Sequence, residues 1–228
     1  MIIPEELSNS MKKEFNQSYG NFAGAQFIDI DYHDFKKLYQ NLKADEDLKL
    51  YPILFGPKND ASKYPQLTKF TDKFFLAAES GGKFYSFHNA KIFEIKQPEF
   101  LTMMNIYAVF RSKNLDPVIH RENTNYILLD KKHLEVYIPI GDYAKAKKIR
   151  FNFAMVPTEK LADFIIQKLP PKMVENLKTK WEATNAGQIT VITDAFNEKG
   201  SPIGELSNYD INKLCPFVCP GTGGGKQK

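Results

Sequence analysis

Apolar residues recur along this chain with two periods, near four and at two, and the alternation between them predicts its elements. Leu7, Met11, Phe15 and Tyr19 fall four residues apart between Pro4 and Gly20. That spacing predicts an amphipathic helix over 4–19, with Glu5 and Glu6 favouring its first turn and a glycine at its end. Phe27, Ile28 and Ile30 predict a short strand over 26–30. Tyr32, Phe35, Leu38, Tyr39 and Leu42 then predict a helix that starts near Tyr32, with Asp31 as its cap.

Leu48 to Phe55 reads as a strand interrupted by Pro52. Pro65 to Glu79 reads as a helix carrying Leu67, Phe70, Phe74 and Ala77 or Ala78. Lys83–His88 and Lys91–Lys96 alternate about Asn89-Ala90, the pattern of a hairpin. Gln97 to Lys113 reads as a helix with Phe100, Met103, Met104, Tyr107 and Phe110 on its buried stripe, although 105–110 would also suit a strand. Strands are expected at Tyr126–Asp130, Glu135–Ile140 and Lys148–Met155. Helices follow from Thr158 to Leu169 and from Pro171 to Trp181, separated by Pro170. This stretch, 125–181, reads as the centre of the core. Gln188–Phe196 is a further strand, and Ser207 to Leu214 a short helix.

Together these elements predict an α+β fold, with an antiparallel or mixed sheet and helices packed mainly on one face. The expected organisation is an N-terminal amphipathic helix (1–20), a single α+β domain (21–214) and a flexible tail containing cysteine and glycine (215–228). A hydrophobic fraction of 43% and an aromatic fraction of 13% are ample for a packed core. No apolar run reaches the ~18 residues of a membrane span. Met1-Ile2-Ile3-Pro4-Glu5-Glu6 lacks the basic start and apolar core of a signal peptide. Two cysteines, both near the C-terminus, are too few for a disulfide scaffold. A reducing cytoplasm is the expected compartment.

Charge draws attention to one segment. Six basic residues (Lys131, Lys132, Lys145, Lys147, Lys148 and Arg150) lie between 131 and 150 with only Glu135 and Asp142 against them. Their surplus equals the +4 of the whole chain. They would suit phosphate or an acidic partner, and the aromatic residues of hairpin 83–96 lie among lysines in the manner of a base-stacking sheet. The alternative is a solvated sheet face with lysines guarding an edge.

Asp29, Asp31 and His33 alternate in one short segment. On a continuous strand they would share a face and suit a divalent metal and hydrolytic chemistry. A helix starting near Tyr32 turns His33 away from that face. His120-Arg121-Glu122 are loop residues of types that sites use. Gly221-Thr222-Gly223-Gly224-Gly225-Lys226 superficially resembles a nucleotide loop. However, Pro220 stands where the first glycine belongs and Gln227 replaces the hydroxyl residue. Cys215 and Cys219 would supply half of a zinc site at most.

No nucleophile elbow, HExxH motif or paired CxxC occurs. The leading expectation is therefore a non-enzymatic binding or assembly protein without a cofactor, docking with a protein partner or with copies of itself. The stripe Leu7, Met11, Phe15 and Tyr19 is the expected docking face if it is not used by its own domain. Nucleic-acid binding through the basic segment and metal-dependent hydrolysis through Asp29, Asp31 and His33 are the alternatives.

Overall fold

The computed structural model describes residues 5–135, 146–157, 186–203 and 212–215. The expected strand at 135–140 beyond Glu135, the two helices with Trp181 and the tail beyond Cys215 lie outside them. The elements run α1 (Glu5–Tyr19), β1 (Phe27–Asp31), α2 (Tyr32–Asn41), β2 (Leu48–Ile53), β3 (Phe75–Ser80), β4 (Lys83–His88), β5 (Lys91–Ile95) and α3 (Gln97–Asn114). They continue with α4 (Asp116–Ile119), β6 (Tyr126–Leu129), α5 (Lys131–Leu134), β7 (Lys148–Met155), β8 (Ile189–Phe196) and β9 (Asn212–Cys215). A 3₁₀ turn occupies Pro65–Phe70.

Two antiparallel sheets result, confirming the α+β class. One has three strands in the order β1-β7-β8, and the other six in the order β5-β4-β3-β2-β6-β9. Their facing sides form the main core. Phe151 and Phe153 of β7 meet Phe87 of β4 and Phe74 beside β3, with ring centroids 6.4 and 5.5 Å apart respectively. The opposite face of the larger sheet builds a second core. There Tyr51, Ile53, Phe75 and Ala77 pack with Phe100 and Met103 of α3. Because β2 and β3 are covered on both sides, their residues read as continuous apolar runs without alternation.

That double burial corrects the expected helix over 65–79. Its supposed stripe is divided among the 3₁₀ turn (Leu67, Phe70), the residue before β3 (Phe74) and β3 itself (Ala77), with Phe74 in the main core and Ala77 in the second. Leu214 belongs to β9, paired with Ile127, where a helix was expected. Lys131 opens the short helix α5. The stretch 105–110 is helical. The hairpin is as expected. Asn89 and Ala90 take φ of 49° and 61°, the left-handed pair that a two-residue turn requires to match strand twist. Pro52 sits in β2 two residues past the point where the β6 ladder ends at Leu50, so it is paired on one side only.

α1 is part of the core. Leu7, Met11, Phe15 and Tyr19 are all buried. Phe15 stacks on Phe153 with centroids 5.2 Å apart and meets Phe74 edge-on. The Tyr19 hydroxyl donates to Gly187 O at 2.8 Å and accepts from Asn123 Nδ2 at 2.9 Å. Burial pushes that phenol up to about 12. The expected docking stripe is thus spent within the chain, because the aromatic pairs it makes there leave it no free face.

Candidate functional site

Asp29, Asp31 and His33 do not converge into a metal-ligand set among the described residues. Asp29 lies on the face of the small sheet away from the main core, opposite Arg150 in the register. Arg150 grips it with two hydrogen bonds, Nε to Oδ1 at 2.7 Å and Nη2 to Oδ2 at 3.0 Å, and Lys148 Nζ lies 2.9 Å from Oδ2. Asp31 pairs with Lys91, and its side chain makes no cap hydrogen bond. His33 belongs to α2. Cations therefore already hold both carboxylates, and among the described residues no group of three or more histidine, cysteine or acidic side chains converges.

The same contacts dissolve the basic segment. Lys148 and Arg150 are neutralised in part by Asp29, and the Arg150 guanidinium lies 3.7 Å from the ring centre of Phe27 and 4.8 Å from that of Phe196. Lys147 reaches Glu198 at 4.0 Å. Lys131 belongs to the other sheet's end, where its ammonium donates to the carbonyls of Leu42 and Lys43 just past α2. The side chain of Lys132 and all of Lys145 lie outside the described residues. In the hairpin, Tyr85 and Phe87 are buried in the main core and Phe84 stacks on Phe100 at 4.1 Å, so these rings are not a base-stacking platform.

Burial on its own would raise the Asp29 carboxyl, but the hydrogen bonds and charges of Arg150 and Lys148 outweigh it and hold the group below its ordinary 3.8. A depressed folded-state pKa contributes stability that is complete above the ordinary value and disappears as pH falls through the folded one. Asp29→Asn is therefore expected to cost about 1 kcal/mol at neutral pH, as a partly exposed charged pair does. In urea titrations the gap between the two proteins should hold down to about pH 5 and narrow below 3.8. A gap that stays constant into acid would contradict this pairing.

The loop 120–125 is structural. His120 ends α4 with φ of 52°, Arg121 donates to Ala186 O, and Glu122 pairs with Arg111 at 2.8 Å. Asn123 Oδ1 accepts from Ile189 N at 3.0 Å, joining the loop to the start of β8.

The groove along α3 was not anticipated. Its buried stripe is Phe100 and Met103, which enter the second core, and Tyr107, which enters the main one, with Arg111 buried at its end. The helix is apolar on other sides as well, leaving Leu101 45% and Val109 58% exposed. Beside Val109 runs a groove of about 700 Å³ walled by Leu54, Ile106 and Phe110, with Lys58 and Lys113 on its rim and no acidic residue in its lining. Among the described residues neither lysine forms an ion pair.

The opposite wall is held in place. Leu54 N donates to Met103 O at 3.4 Å, and Asn59 Nδ2 donates to Glu99 O at 3.3 Å and to its carboxylate at 3.1 Å. Gly56 lets the chain approach α3 closely, since a Cβ there would stand 2.6 Å from Ile106 Cδ1. The groove is consequently formed before anything enters it.

These features define an α+β protein of two facing antiparallel sheets with a preformed apolar groove on its outer helix. Comparisons with protein-family models, curated proteins and solved structures each find no match. Among the described residues, no helix is long and apolar enough to cross a membrane.

Proposed function

We propose that this chain acts by binding a protein partner, and that the partner docks an amphipathic helix with acidic flanks into the groove beside α3. The observation that supports the reading is the conjunction of exposed Val109 with an apolar groove rimmed by two lysines that form no ion pair among the described residues, on a helix that also exposes Leu101. Soluble surfaces rarely leave large apolar side chains contiguous unless a partner covers them. An apolar helix stripe laid in such a groove, with acids meeting Lys58 and Lys113, follows a recurring mode of recognition. A second copy of this chain fits less well. A two-fold contact through this face would gather the four rim lysines around one apolar seam, with no carboxylate from either groove to pair them.

Affinity purification from the native source tests the proposal. Val109→Asp places an unpaired charge in the centre of the contact, and Lys58→Glu with Lys113→Glu reverses its rim. The wild-type protein is expected to retain a partner that both variants lose by at least about tenfold, as loss of a central apolar contact or of charge complementarity does. Unchanged melting temperatures would show that the variants remain folded. Equal retention by all three proteins would overturn the groove as the docking site.

A further inference from the structure

A second recess opens on the side of the molecule formed by β1 and the β4–β5 hairpin. Its volume is about 380 Å³. Its lining includes Phe75, Phe87 and Phe153, all buried, together with Phe27, 41% exposed, and Phe70. Five phenylalanines contributing to one recess of this size offer an apolar receptacle. A dry cavity of about 150 Å³ holds a benzene ring, so this volume admits a body of two fused rings.

The walls are fixed from both sides. Asp31 N donates to Ala90 O at 2.7 Å, tying the hairpin turn to β1, and Gly24 N donates to Phe74 O at 2.8 Å. Phe70 stacks on Phe75 at 4.6 Å and is pressed against Gly24, where a Cβ would stand 2.3 Å from the ring. The recess therefore depends on no rearrangement to admit a ligand.

Charge at the opening selects the ligand's sign. Lys69 lines the recess and is exposed, and its ammonium lies 5.0 Å from the centre of the Phe70 ring without an ion pair among the described residues. The acid in the lining, Asp29, is held by both Arg150 and Lys148, so that cluster carries a net positive charge. His88 and Asn89 complete the polar rim and offer hydrogen bonds. A flat apolar body buried among the phenylalanines, with an anionic group beside Lys69, satisfies every part of this arrangement.

We infer that this recess binds a small aromatic anion, of the aromatic carboxylate class, independently of the groove along α3. The test uses calorimetric titration of the full chain with 2-naphthoate, with neutral 2-naphthalenemethanol and with 2-naphthylmethylamine. Naphthoate is expected to bind at one site, about fivefold more tightly than the alcohol, the preference that a partly exposed ion pair provides. The amine is expected to bind more weakly than either.

Lys69→Gln should abolish the preference for the anion while leaving the alcohol's affinity unchanged. Ala25→Trp, at an exposed lining position, should fill the recess and remove binding of all three without lowering the melting temperature. If that variant unfolds, displacement of naphthoate signals from the rings of Phe27 and Phe70 in the wild-type NMR spectrum decides the location. Absence of saturable naphthoate binding, equal affinity for the amine, or binding that survives in a folded Ala25→Trp protein would each overturn the inference.

Discussion

Phe15→Ala is expected to destabilise the protein by about 3–5 kcal/mol, the range for deleting a fully buried aromatic side chain whose cavity cannot collapse. The ring is inaccessible and touches three others: Phe153 at 5.2 Å, Tyr19 at 6.0 Å and Phe74 at 6.4 Å. Those partners come from β7, from the next turn of α1 and from the residue before β3. They cannot all move into the space without parting the two sheets. Part of the cost is the loss of the stacked pair with Phe153, worth about 1 kcal/mol beyond burial.

Hydrogen exchange measured alongside urea unfolding supplies the sharper readout. In the wild-type protein the amides of α1 should be protected nearly as well as those of β7, and in the variant α1 should open first. A cost below about 1 kcal/mol, with α1 amides exchanging freely in both proteins, would mean that the helix is a separable arm, as its sequence also allowed.

Arg111→Met should be similarly damaging, at about 3 kcal/mol, because it strands two acids that the guanidinium holds. Arg111 is 8% exposed. Its Nη2 lies 2.8 Å from Glu122 Oε1, its Nη1 donates to Asn125 Oδ1 and reaches Asn123 O at 3.5 Å, and its Nε stands 3.3 Å from Asp116 Oδ1 without the alignment of a hydrogen bond. Asp116 in turn accepts from Asn123 N at 2.7 Å. The arginine thus organises the loop that carries Asn123, and through Asn123 the junction with Tyr19 and β8.

Methionine keeps the apolar stem and removes only the charge and its donors, so the loss reports on the network and not on packing. Arg111→Lys retains the charge but not the planar fork, and should fall between the two. Equal stability of wild type and Arg111→Met in urea would contradict the assigned role.

How much of this was legible in the sequence depended on whether an element has one wet face. α1 and α2 each bury one side, and β7 alternates over its first residues before both its faces become buried, so Leu7-Met11-Phe15-Tyr19 and Ile149-Phe151-Phe153 announce their periods directly. β3 is buried on both, and Phe74 to Ala78 forms an unbroken apolar run whose spacing imitates a helix. α3 presents the converse problem. It is apolar around most of its circumference, so 105–110 also suits a strand, although the helical reading leads. The surplus residues Leu101 and Val109, outside the stripe of Phe100, Met103 and Tyr107, were the available sign of a second contact surface.

Charge was less legible than apolar pattern. Lys148 and Arg150 look like a basic patch in sequence because their counter-ion, Asp29, is 121 positions from Arg150 and meets it only across a strand pair. The recess beside β1 and the β4–β5 turn draws its lining from segments between Ala25 and Phe153, and no local pattern marks such a convergence.

The most direct measurement for the docking proposal is site-specific photo-crosslinking in the native source, with p-benzoylphenylalanine at Val109 and, as a control, at Lys83 on the exposed end of β4. The docking account predicts a covalent product from position 109 only, and mass spectrometry of that product should place the link on an amphipathic helix of another protein carrying acidic residues beside its apolar stripe. A product joining two copies of this chain, a link to a basic or non-helical segment, equal products from both positions, or no product from position 109 would contradict it.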